Sequence, residues 1–278
     1  MDNLFSATFI APAGVVSREM VKAASDILTA SGVVVCEGEN LFAGDPSGYL
    51  SAPLSCRVKD LEKAWTGNTD CIWCARGGYG AMNVAAAVDW ERLRQFSTKM
   101  PLIGYSDITA LHLTMLRKGL GRPVVAAMAS KISPSAAAEV NTIIRNGNIN
   151  PYPVHAETNS FPSSGMVIAA NMAVLSGMCG SNLLPDMHNR ILLLEDVNEP
   201  VYKLDRYMSQ FSLAGILDQV QAIIAGDFYQ CGDIMSINNL LESFARKHGK
   251  AFATGAPFGH RDAPAAIDLS QEIIFTFT

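Results

Sequence analysis

Apolar residues along this chain fall into two alternating rhythms. Short unbroken runs, such as "ATFIAPAG", "VVVCEG", "CIWC", "PLIGYS" and "PVVAAMAS", have strand length. Most of them end at glycine, proline or serine, the residues that punctuate elements. Between them lie longer stretches with helical spacing: "SREMVKAASDILTASG", "RVKDLEKAWTG", "AMNVAAAVDWERLRQF" and "DITALHLTMLRKGLG". Several close on glycine, the usual helix stop, and the aspartate in the third marks a possible break. Strands that alternate with helices in this way predict an α/β fold with a mostly parallel sheet covered on both faces.

From about Lys131 to Ser164 the texture changes to Pro, Asn and Ser. This segment reads as a connection carrying a short helix or hairpin. Beyond it the alternation resumes with the strands "RILLLEDV", "VQAIIAGDF" and "AFATGAPFGH" and the helices "YKLDRYMSQFSLAGIL" and "INNLLESFARKHG". The final "AAIDLSQEIIFTFT" alternates like an edge strand or hairpin. The expected organisation is an N-terminal α/β domain over 1–132, a linker over 133–164 and a smaller C-terminal α/β domain over 165–278.

Composition narrows the function classes. The chain has 278 residues, 49% hydrophobic and 17% charged, with a formal net charge of −5. That balance leaves no basic footprint for nucleic acid. No window approaches the ~18 apolar residues of a membrane span. The start, "MDNLFSATFIAPAG", lacks the basic flank and apolar stretch of a signal peptide, so a cytoplasmic location is expected. The six cysteines are scattered and read as reduced thiols. The pair in "CIWC" has redox spacing, but it lies in a strand, whereas redox pairs open helices. The histidines are dispersed, with no H-E-x-x-H and no paired C-x-x-C, so neither a metal nor another cofactor is expected.

Ligands of open parallel sheets bind beyond the carboxyl ends of the strands. Three such ends, "APAG", "RGGYG" and "YSD", carry unusual loops. In "IGYSDIT", Ser106 stands between an apolar strand and a helix start. It can cap the helix, or it can act as a nucleophile on an elbow whose N–H groups face a developing oxyanion. The loop Arg76–Gly80 is either a tight turn or a nest of N–H donors. Glu195 and Asp196 end an apolar run, where a carboxylate can orient a histidine, while Glu199 reads as ordinary loop acidity. His260 follows a strand end in a glycine-rich loop. His112 reads as a core residue, His155 and His188 as polar connections, and His248 as a helix C-terminal cation.

Taken in order, "RGGYGA", "IGYSDITALH", "LLLEDVNEPVYKLDR" and "GAPFGH" resemble the LD-carboxypeptidases of serine-peptidase family S66 across nearly the whole chain. The resemblance implies Ser106 as nucleophile, His260 as general base and Glu195 as its orienting partner. It also implies an oxyanion hole from the N–H groups of Asp107 and Gly78, with Gly77 as second choice for the latter. Arg76 and Tyr105 are the expected substrate contacts, although Arg76 could equally serve a salt bridge. The implied activity is metal-free release of the terminal D-alanine from muropeptide tetrapeptides in the cytoplasm, as in peptidoglycan recycling, by a homodimer. Two segments depart from the family pattern: "VVAAMAS" stands where H-G-P-M is usual, and "AANM" where G-G-N is usual. These departures keep two alternatives open. One is a relative acting on another amide, such as a microcin-type acyl-nucleotide. The other is a non-catalytic peptide binder.

Overall fold

The computed structural model describes residues 5–149, 151–156, 161–260 and 264–278. Residues 150 and 157–160 of the expected linker, and 261–263 after His260, lie outside them. The first half runs β1 (Phe5–Ile10), α1 (Arg18–Ala30), β2 (Val33–Glu37), α2 (Leu54–Thr66), β3 (Cys71–Cys74), α3 (Ala81–Ala87), α4 (Trp90–Arg94), β4 (Pro101–Gly104), α5 (Thr109–Lys118), β5 (Arg122–Val125) and α6 (Pro134–Asn146). The second runs β6 (Tyr152–Val154), β7 (Ser164–Asn171), α7 (Met172–Met178), β8 (Ile191–Val197), α8 (Val201–Leu213), α9 (Ile216–Gln219), β9 (Ala222–Tyr229), α10 (Ile234–Lys247), β10 (Ala251–Ala253), β11 (Ile267–Asp268) and β12 (Glu272–Phe277).

Two six-stranded sheets form, in the orders β11-β5-β4-β3-β1-β2 and β10-β9-β8-β7-β12-β6. Strands β1 to β5 pair in parallel, as do β7 to β10. β3 and β4 are buried at every position, the signature of strands covered on both faces. Side-chain caps set several helix starts: Ser17 accepts from Met20 N–H, Ser133 from Ala136 N–H ahead of Pro134, and Asp89 from Arg92 N–H. Asp89 thereby begins α4 and splits the stretch read as a single helical pattern.

Two details differ from the expectations. The C-terminal alternating segment divides into two strands, of which β11 is an edge strand of the first sheet and β12 is not an edge strand of the second. β12 lies inside, antiparallel to β7 on one side and parallel to β6 on the other. The connection supplies the β6 that covers it, and its proline- and asparagine-rich composition hides that strand. β11 instead crosses back to the first sheet and pairs antiparallel with β5. There Asp268, fully buried, is gripped by Arg122 at 2.8 Å, and Arg122 also holds the carbonyls of Ile143 and Ile144 at the end of α6.

One apolar cluster runs from the first sheet into the second. It includes Leu111 and Met115 of α5, Met172 and Leu175 of α7, and Ile168 and Leu193 of β7 and β8. A second cluster packs α1 and α6 on the far face of the first sheet through Val21, Leu28, Val140 and Ile143. The shared cluster brings the carboxyl ends of β4 and β8 together.

Candidate active site

Ser106 sits one residue past Tyr105 at the end of β4 and adopts φ 62°, the left-handed region that a non-glycine residue rarely occupies. Such a conformation costs roughly 1–3 kcal/mol, so the surrounding structure must impose it. A 3-10 turn over Ser106–Ile108 follows, closed by Ile108 N–H donating to the Tyr105 carbonyl at 3.2 Å. The serine side chain does not cap the helix. The side chain of Asp107 reaches away instead, accepting from Ala81 N–H at 2.9 Å at the start of α3. Burial raises the Asp107 carboxyl to about 6, while Ala81 N–H and the Arg57 charge oppose the rise.

The glycine loop lies against the hydroxyl. A Cβ added to Gly77 would stand 3.2 Å from Ser106 Cβ, 3.3 Å from Ser106 Oγ and 3.3 Å from Met128 Cε, so any side chain here would press on the serine. The Gly77 carbonyl accepts from Gly14 N–H at 3.0 Å. In a trans peptide the Gly78 N–H must then point the other way. Met128 belongs to the departing "VVAAMAS" segment, which therefore packs beneath this loop.

From the second sheet, His260 Nε2 lies 3.2 Å from Ser106 Oγ, and His260 Nδ1 lies 2.6 Å from Glu195 Oε2. The Glu195 side chain is 0% exposed and that of His260 12%. Glu195 Oε1 has no hydrogen-bond partner among the described residues, which leaves the imidazole as the main polar neighbour of a desolvated carboxylate. The histidine loop comes this close because residue 259 is glycine, at φ 125°. A Cβ there would lie 2.9 Å from Asp227 Cβ and 3.1 Å from Glu195 Cβ. The Tyr105 ring packs edge-on against the imidazole, with centroids 5.0 Å apart. Tyr105 is buried, so it supports the histidine from behind and offers little surface to a ligand.

A cleft of about 350 Å³ opens beside Ser106. Gly78, Tyr79 and Met82 line one wall, and Asn171, Val174, Gly177, Asp196 and Glu199 line the other. Its charged lining residues, Asp107, Asp196 and Glu199, are all acidic. Glu199, read from sequence as loop acidity, stands on the cleft wall with Lys203 at 2.9 Å and the Tyr207 hydroxyl donating to it at 3.3 Å. Asp196, read from sequence only as a strand-end carboxylate beside Glu195, and Asn171, which carries no site role in the sequence reading, both stand on this wall. The only sequence signals were their positions after Glu195 and inside "AANM". Asp196 accepts from the Asn171 amide at 2.9 Å, from Val197 N–H at 2.8 Å and from Ala173 N–H at 3.0 Å. Burial, and next the Glu195 charge, raise it to about 6.

Arg76 is exposed, and its guanidinium donates to the Val15 carbonyl at 3.0 Å, with no ion pair among the described residues. His112 is fully buried, bonded to the Leu102 carbonyl, and pushed down to about 4 by burial, which keeps it neutral. His248 ends α10, between Asp218 and Ser212. Cys71 and Cys74 are buried on β3, where desolvation pushes both thiols well above their usual range, the reverse of a redox-active pair. Among the described residues no group of three or more His, Cys, Asp or Glu could hold a metal. No helix among them is long and apolar enough to cross a membrane.

Residues 8–124 match the family model for the LD-carboxypeptidase N-terminal domain, and 164–273 the model for its C-terminal domain. The murein tetrapeptide carboxypeptidase of Pseudomonas aeruginosa is 32% identical over 241 residues, covering 80% of this chain and 76% of that protein. Among solved structures, the muramoyltetrapeptide carboxypeptidase of Oxalobacter formigenes superposes with a TM-score of 0.85 at 20% identity, over 96% of this chain and 93% of that one. The microcin C7 self-immunity protein of Escherichia coli is 23% identical over 80% of this chain and 74% of its own length. With both domain models matched and this level of identity over most of its length, the chain belongs to the LD-carboxypeptidase family.

Proposed function

We propose that the protein is a serine-type LD-carboxypeptidase that releases a C-terminal D-amino acid, D-alanine, from muropeptide tetrapeptides. The observation that carries this reading is the Ser106–His260–Glu195 chain, at 3.2 and 2.6 Å, on an elbow with φ 62°. His260 Nε2 takes the Ser106 proton as Oγ attacks the amide carbonyl. The N–H groups of Asp107 and Gly78 hold the oxyanion. Among the described residues neither donates to a protein acceptor, so both are free for that purpose. The imidazolium, stabilised by Glu195, then protonates the leaving amine, and water activated by His260 releases the acyl group.

The reading includes action in the cytoplasm as a homodimer, and a division into units over 1–132 and 165–278. The test is incubation with L,D-tetrapeptide and, in parallel, with an aminoacyl sulfamate. D-alanine release that disappears in Ser106→Ala supports the reading. Cleavage of the sulfamate alone moves the protein to the other branch of the family, and cleavage of neither favours a binder.

A further inference from the structure

Ser106 and its partners come from different sheets, and nothing covalent links them for ninety residues of chain. A shift of either strand end by about 1 Å would break the 3.2 Å contact between Ser106 Oγ and the imidazole. The structure contains a second tie between the same two ends. Thr109 opens α5, three residues after the nucleophile, and its Oγ1 accepts the backbone N–H of Asn171 at 3.2 Å. The Asn171 amide donates to Asp196 Oδ1 at 2.9 Å. Asp196 is the residue after Glu195, and Glu195 holds His260, which reaches back to Ser106.

We propose that Thr109 is a positioning residue whose hydroxyl closes this ring of bonds, holding the nucleophile's helix in register with the strand that carries the acid. The proposal rests on the serine-hydrolase reading of the same site. Thr109, Asn171 and Asp196 are each at most 5% exposed, which limits competition from water for these bonds. Among the described residues, no other hydrogen bond joins the elbow or α5 to the second sheet apart from the Ser106–His260 pair. The ring is also anchored to α7: the Asn171 side chain accepts from Val174 N–H at 3.1 Å, and Asp196 Oδ2 from Ala173 N–H. Thr109 is not among the residues lining the cleft, so it can act on the reaction only through the placement of others.

Thr109→Val keeps the shape of the side chain and removes the acceptor, whereas Thr109→Ser keeps the acceptor. The measurements are the second-order rate of labelling by a small fluorophosphonate, and kcat and KM for L,D-tetrapeptide. Thr109→Val is expected to slow labelling and lower kcat about tenfold or more, with KM changed less than about twofold. Thr109→Ser is expected to restore both. Asn171→Ala breaks the ring one bond further on and must also slow labelling, which keeps the test alive if Thr109→Val does not fold. Labelling at the wild-type rate in a folded Thr109→Val or in Asn171→Ala overturns the proposal. A wild-type protein that is not labelled at all overturns the serine reading beneath it.

Discussion

The two strand ends that meet in the cleft place their reactive groups by different means. At the end of β4, position is stored in the backbone: Ser106 stands at φ 62°, braced by a 3-10 turn and by the close passage of Gly77. At the other end, position is stored in side chains. His260 lies on an irregular loop, and its ring is held by Glu195 on one edge and Tyr105 on a face. Ser106 and Glu195 are each followed by a buried aspartate that pins the start of a helix lining the cleft. Asp107 makes one such bond, whereas Asp196 makes three. The lesson is that the β4 side should reveal itself mainly in stability, and the β8 side mainly in activity.

The sharpest break falls on the β8 side. Glu195→Gln keeps the shape but removes the charge that stabilises the imidazolium, and the amide can impose the wrong tautomer. It is expected to lower kcat about 10⁴-fold with little change in KM, read from steady-state D-alanine release. Next comes Asp196→Asn. All three bonds to this carboxylate come from donors, so an amide turned either way sets its NH₂ against an N–H. A fall in kcat of about 10- to 100-fold is expected. Asp107→Asn is the matched control. Its amide oxygen can still accept from Ala81 N–H, and a loss of only a few-fold is expected. Equal losses in these two variants would erase the contrast between the two ends.

Asp107 also has a pH signature. Its carboxyl is raised from 3.8 to about 6 in the fold, so the native state binds more protons between those values. The favourable contribution is complete below 3.8 and is lost as pH rises through about 6, where the charge must be buried. Asp107→Asn, neutral throughout, should therefore gain on the wild type as pH rises from 5 to 8, by roughly 1–1.5 kcal/mol. Urea unfolding across that range reads the difference, and a gap that does not change with pH contradicts it. The smallest effect belongs to the strained backbone: Ser106→Gly is expected to be inactive yet more stable by about 1 kcal/mol.

Much of this was legible in the residues. The strand–helix alternation gives the parallel sheets, because buried strands and amphipathic helices have different periods. Ser106, Glu195 and His260 stand out because each lies near or beyond the carboxyl end of a strand, where an α/β sheet presents its ligands. The interior place of β12 was not legible, since it depends on β6, a three-residue strand within a proline-rich stretch. Tyr105 was expected at a substrate, but packs behind His260, a contact spanning 155 positions that no local pattern encodes. Glu199, Asn171 and Asp196 share this character. Their chemistry is visible in the sequence, but their place on a common wall depends on how two sheets dock.

The central claim is that a hydroxyl from the first sheet is activated by an imidazole from the second. Its most direct test is mass spectrometry of the protein after brief exposure to a fluorophosphonate, with peptide mapping of the adduct. The expected result is a single phosphonyl group on Ser106, lost in Ser106→Ala and strongly slowed in His260→Ala. An adduct on another residue, or labelling of Ser106 at an unchanged rate without His260, would contradict it.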